Sequence, residues 1–340
     1  MQEKIAVLLL NLGGPDSPEA VRPFLYNLFS DPAIIRYPWP FRQFIAWLIS
    51  KFRAPKAQKI YAKLGGKSPL LENTKAQTAA LQQVLQKTLP DQQIGVFIAM
   101  RYWHPLTEQA VQDVTCFNPD RLILLPLYPQ FSTTTTASSF KRWHDLFKGK
   151  QQPIEICCYP AQPGFISAYG DLISQSLAEM PENLDVRLLF SAHGLPQKIV
   201  DTGDPYPLHV EKSVQSIMAL PSLCHLDYQI CYQSRVGPMQ WLGPNVETAL
   251  QKAADDQKAV LVIPISFVSE HSETLVELDI DFRDYAKSLD ISAYGRVPTV
   301  SCHPDFIKGL ACLVQESLSA PPLKNCPAQG VKCWCETAYD

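Results

Sequence analysis

The sequence shows no excess of charge of either sign, no long apolar run and no pattern typical of a secretory signal. Its 30 lysine and arginine residues are balanced by 33 aspartate and glutamate residues, for a net charge of −3. This balance argues against nucleic-acid binding, which relies on basic surfaces. No stretch approaches the roughly 20 apolar residues that cross a bilayer. The start, MQEKIAVLLLNLGG, has neither the basic flank nor the cleavage site of a secretory signal. We expect a cytoplasmic protein whose membrane contact, if any, is peripheral.

Convincing nucleotide-binding loops are also missing. The stretch NLGGPDSP has neither the glycine spacing of a dinucleotide-binding turn nor the Lys-Ser/Thr of a phosphate loop. The stretch LGGKSPL contains Gly-Lys-Ser, but it follows a helical pattern instead of a strand and lacks the upstream glycine. Neither stretch supports nucleotide binding.

What the sequence does contain is an alternation of strand and helix patterns. IAVLLLNLGGP and RLILLPLYPQFS in the first half resemble VRLLFSAHGLP and AVLVIPISFVSEH in the second, which suggests two halves of similar build. TKAQTAALQQVLQKTL and FISAYGDLISQSLAEM have the apolar spacing of helices. Strands that alternate with helices predict parallel sheets. We therefore predict an α/β fold with two doubly wound domains, joined near FKGKQQP, with a cleft between them.

The predicted domains are an N-terminal one over residues 1–150, a C-terminal one over 151–320, and a cysteine-containing tail over 321–340. Residues 23–55 interrupt the first domain, because they are apolar and aromatic without a strand pattern and end among arginine and lysine. Two interpretations stay open for this segment. It is either a helical lip whose apolar face covers a ligand or touches a membrane, or an excursion that packs into the core.

One histidine lies where catalytic groups are common in this fold class. His193 follows the apolar run of LFSAHGLP and precedes Gly194, so it falls at the carboxyl end of a predicted strand. A lone buried histidine bonded to backbone is the ordinary alternative. Position alone does not decide between the two.

The stretch SEHSETLVELDIDFRDY adds acidic groups to the same end of the sheet. Glu273, Glu277 and Asp281 follow at four-residue steps, which places three carboxylates on one face of a helix. A solvated acidic face is one interpretation, and a path for protons or cations is the other. Because neighbouring strands end close together, we expect Glu273 to face His193, an arrangement suited to proton abstraction and to holding a divalent metal.

The sequence resembles the ferrochelatases, which insert Fe²⁺ into a porphyrin in the last step of haem synthesis. The resemblance is carried, in family order, by LLLNLGGPDSP, YAKLGGKSPL, MRYWHPLTE, LPLYPQFSTTT, SAHGLP, QSRVGPMQWLGP and SEHSETLVELDID. It implies two similar domains with parallel four-stranded sheets and an active-site cleft between them. The implied lip, used for porphyrin entry and membrane contact, falls in residues 23–55.

The resemblance also implies roles for individual residues. His193 and Glu273 are the implied catalytic pair, and the implied metal-handling residues are His193, Glu273, Glu277, Asp281 and His271. Asp281 stands where many members carry glutamate. The implied porphyrin contacts are Leu12, Arg53, Ser68, Arg101, Tyr102, Tyr128, Ser132 and Trp241.

The function that these residues imply is insertion of Fe²⁺ into protoporphyrin IX to give protohaem, by bending the macrocycle, removing the pyrrole protons and transferring the metal. Two alternatives stay open: a chelatase that acts on coproporphyrin or another tetrapyrrole, and a haem-binding redox sensor without enzymatic activity. A monomer and a homodimer are both compatible with the sequence.

The tail KNCPAQGVKCWCETAYD contains three cysteines within ten residues, for which zinc, a redox thiol pair, an iron–sulfur cluster and unligated surface thiols are the alternatives. Some ferrochelatases bind a [2Fe–2S] cluster with three C-terminal cysteines and one from the body. By that resemblance we predict a cluster on Cys158, Cys326, Cys333 and Cys335, with Cys157 as the other candidate for the body ligand. Two features depart from the animal enzymes: the Cys-x6-Cys-x-Cys spacing, and Thr133 where those enzymes have their body cysteine.

Overall fold

Two parallel four-stranded sheets form the framework of the described residues in this computed structural model, which are residues 2–235, 237 and 239–319. The chain divides into two units. Unit 1 holds the residues up to Cys158 and, from Leu310, the last part of the described chain, and unit 2 runs from Tyr159 to Gly309. The predicted fold class, two doubly wound α/β domains, is confirmed. The boundaries near residues 150 and 320 and the cleft stay predictions.

Unit 1 is built on a sheet of order β2-β1-β3-β4, in which every pair is parallel. The two central strands are the apolar runs that the sequence marks most strongly, and they are almost entirely buried. In chain order the elements are β1 (Lys4–Asn11), α1 (Val21–Phe29), α2 (Trp39–Ala62), α3 (Leu70–Thr88), β2 (Gln93–Met100), α4 (Thr107–Phe117), β3 (Arg121–Pro126), α5 (Thr136–Leu146) and β4 (Ile154–Glu155).

Unit 2 has a sheet of order β6-β5-β7-β8, which is also fully parallel. A nine-residue π-helix, Glu273–Asp281, precedes α10. In chain order the other elements are α6 (Pro163–Ala178), β5 (Val186–His193), α7 (Gln197–Asp201), α8 (Tyr206–Met218), β6 (Asp227–Gln233), α9 (Val246–Asp255), β7 (Ala259–Ile263), α10 (Phe282–Ser288) and β8 (Tyr294–Arg296). The last helix, α11 (Pro304–Ser319), begins in unit 2 and continues into unit 1 from Leu310.

The two sheets have the same strand order relative to the chain. In each, the first strand of the unit lies in the middle, the second strand pairs on one side of it, and the third and fourth strands follow on the other. The internal similarity of the sequence is therefore matched by a repeated topology. The helices predicted from TKAQTAALQQVLQKTL and FISAYGDLISQSLAEM correspond to α3 and α6.

The segment 23–55 contains residues 23–29 of α1 and residues 39–55 of α2. In α2 the buried positions are mainly small, namely Ala46, Ser50 and Ala54, together with Tyr61. Its large aromatic residues point away from the core: Trp39, Phe41, Phe44 and Phe52 are all more than 60% exposed. The core-packing interpretation is wrong for these four side chains, and the lip interpretation stays a prediction.

Candidate active site

His193 is the last residue of β5 and pairs in register with Gln233, the last residue of β6. The strand is buried from Arg187 to Ala192, and the His193 side chain emerges at its carboxyl end with 42% of its surface exposed. The next residue must be small. A Cβ on Gly194 would lie 2.7 Å from the Gln233 carbonyl oxygen and 3.4 Å from the Trp241 ring, so glycine allows the close approach of this turn.

The imidazole of His193 contacts the carboxylate of Glu273. His193 Nδ1 lies 2.8 Å from Glu273 Oε2, and His271 Nε2 lies 3.9 Å from the same oxygen. An ionised carboxylate only accepts hydrogen bonds. Nδ1 of a neutral His193 therefore carries the hydrogen, which leaves the lone pair on Nε2 available to accept a proton.

Charge and burial act in opposite directions on this pair. Burial favours neutral His193, but the charge and hydrogen bond of Glu273, helped by Glu277, outweigh it and raise the pKa of His193. Burial likewise opposes ionisation of Glu273, yet His193 and His271 hold the pKa of Glu273 well below its usual range. The result is an ionised carboxylate beside an imidazole whose basicity is increased.

Glu273 and Glu277 belong to a π-helix, where the sequence predicts an α-helix. The wider i→i+5 pattern is rare in proteins and is found mostly at functional sites. Two carbonyl groups near its C-terminal end accept hydrogen bonds from side chains: Tyr294 Oη donates to Leu278 O at 2.7 Å and Arg283 Nε donates to Asp279 O at 3.0 Å. These bonds satisfy carbonyl groups where the helix changes register.

Glu277 is held by residues that the sequence analysis did not single out. The Ser234 backbone N–H donates to Glu277 Oε1 at 2.9 Å and the Ser234 hydroxyl donates to Oε2 at 2.5 Å. Gln233 Nε2 donates to the Glu273 carbonyl at 3.0 Å. Ser234 has a φ of 61°, a left-handed conformation that is uncommon for serine and typical of functional sites. The only sequence signal was its place in the QSRVGP motif.

The second carboxylate of the π-helix differs from the first in the direction of its pKa shift. Burial and the neighbouring Glu273 raise the pKa of Glu277, and this effect exceeds the opposing effect of the Ser234 hydrogen bonds. A low-pKa acid next to a raised-pKa acid is the arrangement in which one group stays ionised and the other can exchange protons. Asp281, the third residue of the predicted acidic line, is exposed at the end of the π-helix.

An arginine ties the π-helix to the loop before it. Arg296, at the end of β8, donates to both oxygens of Asp279 at 2.8 Å and to Glu270 Oε1 at 2.9 Å. Its side chain is 10% exposed. The same Glu270 oxygen accepts the Thr299 backbone N–H at 2.9 Å. Because Glu270 precedes the π-helix and Asp279 lies within it, one guanidinium fixes both flanks of the segment that carries Glu273.

Of the eight predicted porphyrin contacts, Trp241 lies in unit 2. It is partly buried and forms a bridge with Pro196, three residues after His193. The His271 ring lies 4.5 Å from the Phe267 ring between centroids, with the two planes tilted by 55°, and Phe267 in turn lies edge-on to His193 at 6.2 Å. The two histidines thus face the Glu273 carboxylate, and the Phe267 ring lies beside both of them.

The remaining predicted porphyrin contacts lie in unit 1, mostly in the connections after strands β1, β2 and β3. Leu12 follows β1 and packs against the buried cluster that contains Val21 and Tyr102, and Arg101 and Tyr102 follow β2. Tyr128 and Ser132 follow β3, and Ser132 shares a hydrogen bond of 2.8 Å with Thr134. Ser68 precedes α3 and is buried, while Arg53 of α2 lies over the Phe29 ring. All of these positions except Arg53 and Ser68 are at strand ends, as the fold class predicts.

The cysteine prediction is only partly covered by the structure. Cys158 is 1% exposed and its sulfur lies 3.5 Å from that of Cys157. Cys326, Cys333 and Cys335 lie outside the described residues. Among the residues that the structure does describe, no group of three or more histidine, cysteine, aspartate or glutamate side chains could hold a metal ion. The described donors therefore do not by themselves fit a cluster.

Comparison with known proteins decides the family. The family model described as Ferrochelatase matches residues 4–318. The chain belongs to the ferrochelatase family. Curated ferrochelatases of Phenylobacterium zucineum and Caulobacter vibrioides are 48% and 46% identical to it, and each alignment covers 98% of this chain and at least 96% of the relative. The ferrochelatase of Rickettsia bellii is 44% identical over 99% of this chain and 97% of its own.

Among solved structures, the chain is similar to SirB from Bacillus subtilis, solved with Fe3+, with a TM-score of 0.51, 11% identity and coverage of 92% of this chain and 95% of that one. These values support the fold alone. The family membership confirms the resemblance seen in the sequence and makes the protein a metal chelatase. The roles of individual residues stay predictions.

The helices of the described residues include none that combines the length and the apolar character needed to cross a bilayer.

Proposed function

We propose that this chain inserts Fe²⁺ into protoporphyrin IX to form protohaem, with His193 as the base and Glu273 as its charged partner. The observation that carries the proposal is the 2.8 Å contact between His193 Nδ1 and Glu273 Oε2 at the exposed end of β5. It gives an imidazole with increased basicity and a free Nε2 lone pair, which is what removal of a pyrrole proton requires.

The net reaction is exchange of two pyrrole protons for one Fe²⁺. A flat macrocycle shields its inner nitrogens, so binding energy from the ring periphery has to bend it before the lone pairs are accessible. His193 Nε2 accepts a pyrrole proton, and Glu273 stabilises the imidazolium that forms. Release of that proton restores the base for the second one.

We infer that the π-helix carboxylates serve the charges that enter and leave. Glu277 has a raised pKa, and Asp281 is exposed beyond it, so the two form a route from the histidine towards solvent on which protons can move. Carboxylate oxygens and imidazole nitrogens also bind Fe²⁺, and His271 is a further nitrogen donor beside Glu273. We propose that iron is held here only in transit, as a substrate.

We propose that Leu12, Arg53, Ser68, Arg101, Tyr102, Tyr128, Ser132 and Trp241 contact or support the porphyrin. Arginine and hydroxyl groups suit the carboxylates of its side chains, whereas leucine and tryptophan suit the ring. The proposal is supported by the match of these residues to the family motifs and, for all of them except Arg53 and Ser68, by their positions in the connections that follow strands.

The test is anaerobic incubation of the purified protein with Fe²⁺ and either protoporphyrin IX or coproporphyrin, followed by absorbance of the product haem. Faster turnover of protoporphyrin is expected. Preference for coproporphyrin would replace the proposed substrate, and tight haem binding without turnover of either porphyrin would favour a sensor.

We further propose that the aromatic residues of α2 contact a lipid surface. Four of them are more than 60% exposed, and no acidic residue occurs between Asp31 and Glu72, a stretch with eight lysines and arginines. Apolar side chains flanked by cations suit an interface with anionic lipid. The fraction of protein that sediments with vesicles rich in phosphatidylglycerol should be lower for W39A/F44A than for the wild type. It should be unchanged for the control L208A, which removes an exposed apolar side chain from α8. Equal sedimentation of both variants would contradict it.

A [2Fe–2S] cluster on Cys158, Cys326, Cys333 and Cys335 is also part of the proposal. Its support is the density of cysteines in the tail and their match to cluster-binding members of the family. Protein purified without oxygen should contain acid-labile sulfide and visible charge-transfer bands, and C158S should lose both while C224S, a substitution of an exposed cysteine, should retain them. Absence of acid-labile sulfide from the wild-type protein would contradict the proposed cluster.

A further inference from the structure

A buried carboxylate in unit 1 takes no part in the chemistry proposed above. Asp31 lies just after α1, and its side chain is 2% exposed. Its Oδ1 accepts the Ala33 backbone N–H at 2.8 Å, which fixes the turn that follows the helix. Its Oδ2 points to groups that are far away in sequence.

Three donors converge on that second oxygen. Arg101 Nη2 lies 2.6 Å from it, Tyr102 Oη lies 2.8 Å from it and Ser138 Oγ lies 2.5 Å from it. A buried charge is tolerated only where partners of this kind compensate it. The Asp31 carboxylate therefore links α1, the exit of β2 and the first turn of α5 at a single point.

Arg101 is the member of this group that remains accessible. Its Nε donates to Ser138 Oγ at 2.8 Å, its guanidinium lies 5.0 Å from the centre of the Tyr102 ring, and its side chain is 17% exposed. Tyr102, by contrast, is 1% exposed and its hydroxyl is used by Asp31. Among the hydrogen bonds of the described residues, none uses Arg101 Nη1.

We propose that Asp31 is the positioning residue for Arg101, holding the guanidinium directly at Nη2 and, through Ser138, at Nε, so that Nη1 is presented to a carboxylate of the porphyrin. This inference rests on the proposed function, in which Arg101 contacts the substrate. A long flexible side chain fixed in advance loses less conformational freedom on binding. Asp31 thus acts on substrate affinity through Arg101, without touching the macrocycle.

The experiment compares D31A, R101A and D31A/R101A by quenching of intrinsic fluorescence on titration with protoporphyrin IX, and with its dimethyl ester as a probe without free carboxylates. D31A should weaken binding of the free acid about tenfold, the scale of one hydrogen bond to a charged group. Its effect on the ester should stay below about twofold, because the ester offers no charge to Arg101. In the R101A background D31A should have no further effect, since the two residues act as one unit.

Steady-state kinetics give a second readout. D31A should raise KM for protoporphyrin and leave kcat at saturating porphyrin nearly unchanged, because the lost interaction is not specific to the transition state. D31N, which keeps the shape and one acceptor oxygen, should lie between D31A and the wild type and provides a test if D31A folds poorly. D145A removes an exposed aspartate of α5 and should leave both constants unchanged.

Two results would overturn the inference. Equal weakening of free acid and ester by D31A, or additive effects of D31A and R101A, would show that Asp31 only supports the fold. If R101A weakens binding of the free acid and neither D31 variant does, the inference fails while the proposed function stands. If R101A itself has no effect, the proposed role of Arg101 fails first, and the inference with it.

Discussion

The two units repeat one sheet topology but carry different chemistry at the ends of their strands. In unit 1 the connections after β1, β2 and β3 present an arginine, hydroxyl groups and apolar side chains, with Asp31 buried beneath Arg101. In unit 2 the end of β5 presents a histidine, and the π-helix after β7 carries four acidic residues, of which Glu273 contacts that histidine. The strand order is the same in both.

This difference separates what the scaffold determines from what the loops determine. The parallel sheet brings the carboxyl ends of its strands to one edge, and whatever side chains follow those strands meet there. At that edge unit 1 has the groups proposed to bind the porphyrin carboxylates, and unit 2 has the groups proposed to accept protons and to hold iron in transit. Changes at each edge should therefore affect different steps, namely substrate affinity for unit 1 and chemistry for unit 2.

The largest effect is expected from H193A, which removes the base from unit 2. Iron insertion should fall by at least about a hundredfold, the usual contribution of a general base. Binding of protoporphyrin, measured by fluorescence quenching, should change little. H225A, which alters an exposed histidine of the same unit, serves as the control. Near-normal turnover by H193A would exclude this residue as the base.

A smaller effect should follow from R296M, which removes the guanidinium that joins Glu270 and Asp279. Two partly buried carboxylates lose their compensating charge, so the free energy of unfolding should fall by about 3 kcal/mol. R142M is the matched control, because it removes an arginine from an ion pair with Glu108 in which both side chains are more than a third exposed, and should cost less than about 1 kcal/mol. Urea denaturation followed by circular dichroism measures both. Equal losses would indicate that Arg296 has no special role.

The next prediction concerns the pKa of His193. Glu273 raises it against the effect of burial, so E273Q should lower it. A base with a lowered pKa is deprotonated down to a lower pH, and the acid limb of any residual activity should move in the same direction. NMR titration of the histidine ring measures the pKa directly. E247Q, which alters a half-exposed glutamate paired with Arg235, should leave it unchanged. A higher pKa in E273Q would contradict the assigned cause.

The smallest effect is expected on the surface of unit 1. K141A breaks an i,i+4 ion pair with Asp145 in which both side chains are at least half exposed. Because water and salt screen such pairs, the free energy of unfolding should change by no more than about 0.5 kcal/mol. Thermal unfolding at low and high salt checks this. A loss comparable to that of R296M would remove the distinction between buried and exposed pairs.

The main features of the fold could be predicted because they depend on local patterns. The runs that form β1, β3, β5 and β7 are apolar and are followed by glycine or proline, and two helices have clear amphipathic spacing. Parallel pairing follows from the alternation of the elements. Even the approach of Glu273 to His193 followed from this logic, since both lie beyond neighbouring strands.

Other features depend on contacts that no local pattern encodes. The π-helix is held by Tyr294 and Arg283, which come after it in the chain, and the carboxylate of Glu277 by Ser234 in an unusual backbone conformation. Asp31 meets Arg101 and Ser138 only in the folded chain. The cytoplasmic location, the choice between monomer and homodimer, and the cluster stay predictions.

The parallel topology also has a consequence for how the chain is made. Strand β1 is buried at seven of its eight positions, yet both of its partners are encoded much later, at residues 93–100 and 121–126. During translation this apolar segment leaves the ribosome long before its partner strands β2 and β3 are synthesised. Until then the strand is exposed to pairing with other chains, a risk that chaperones or slower synthesis at low temperature would lower.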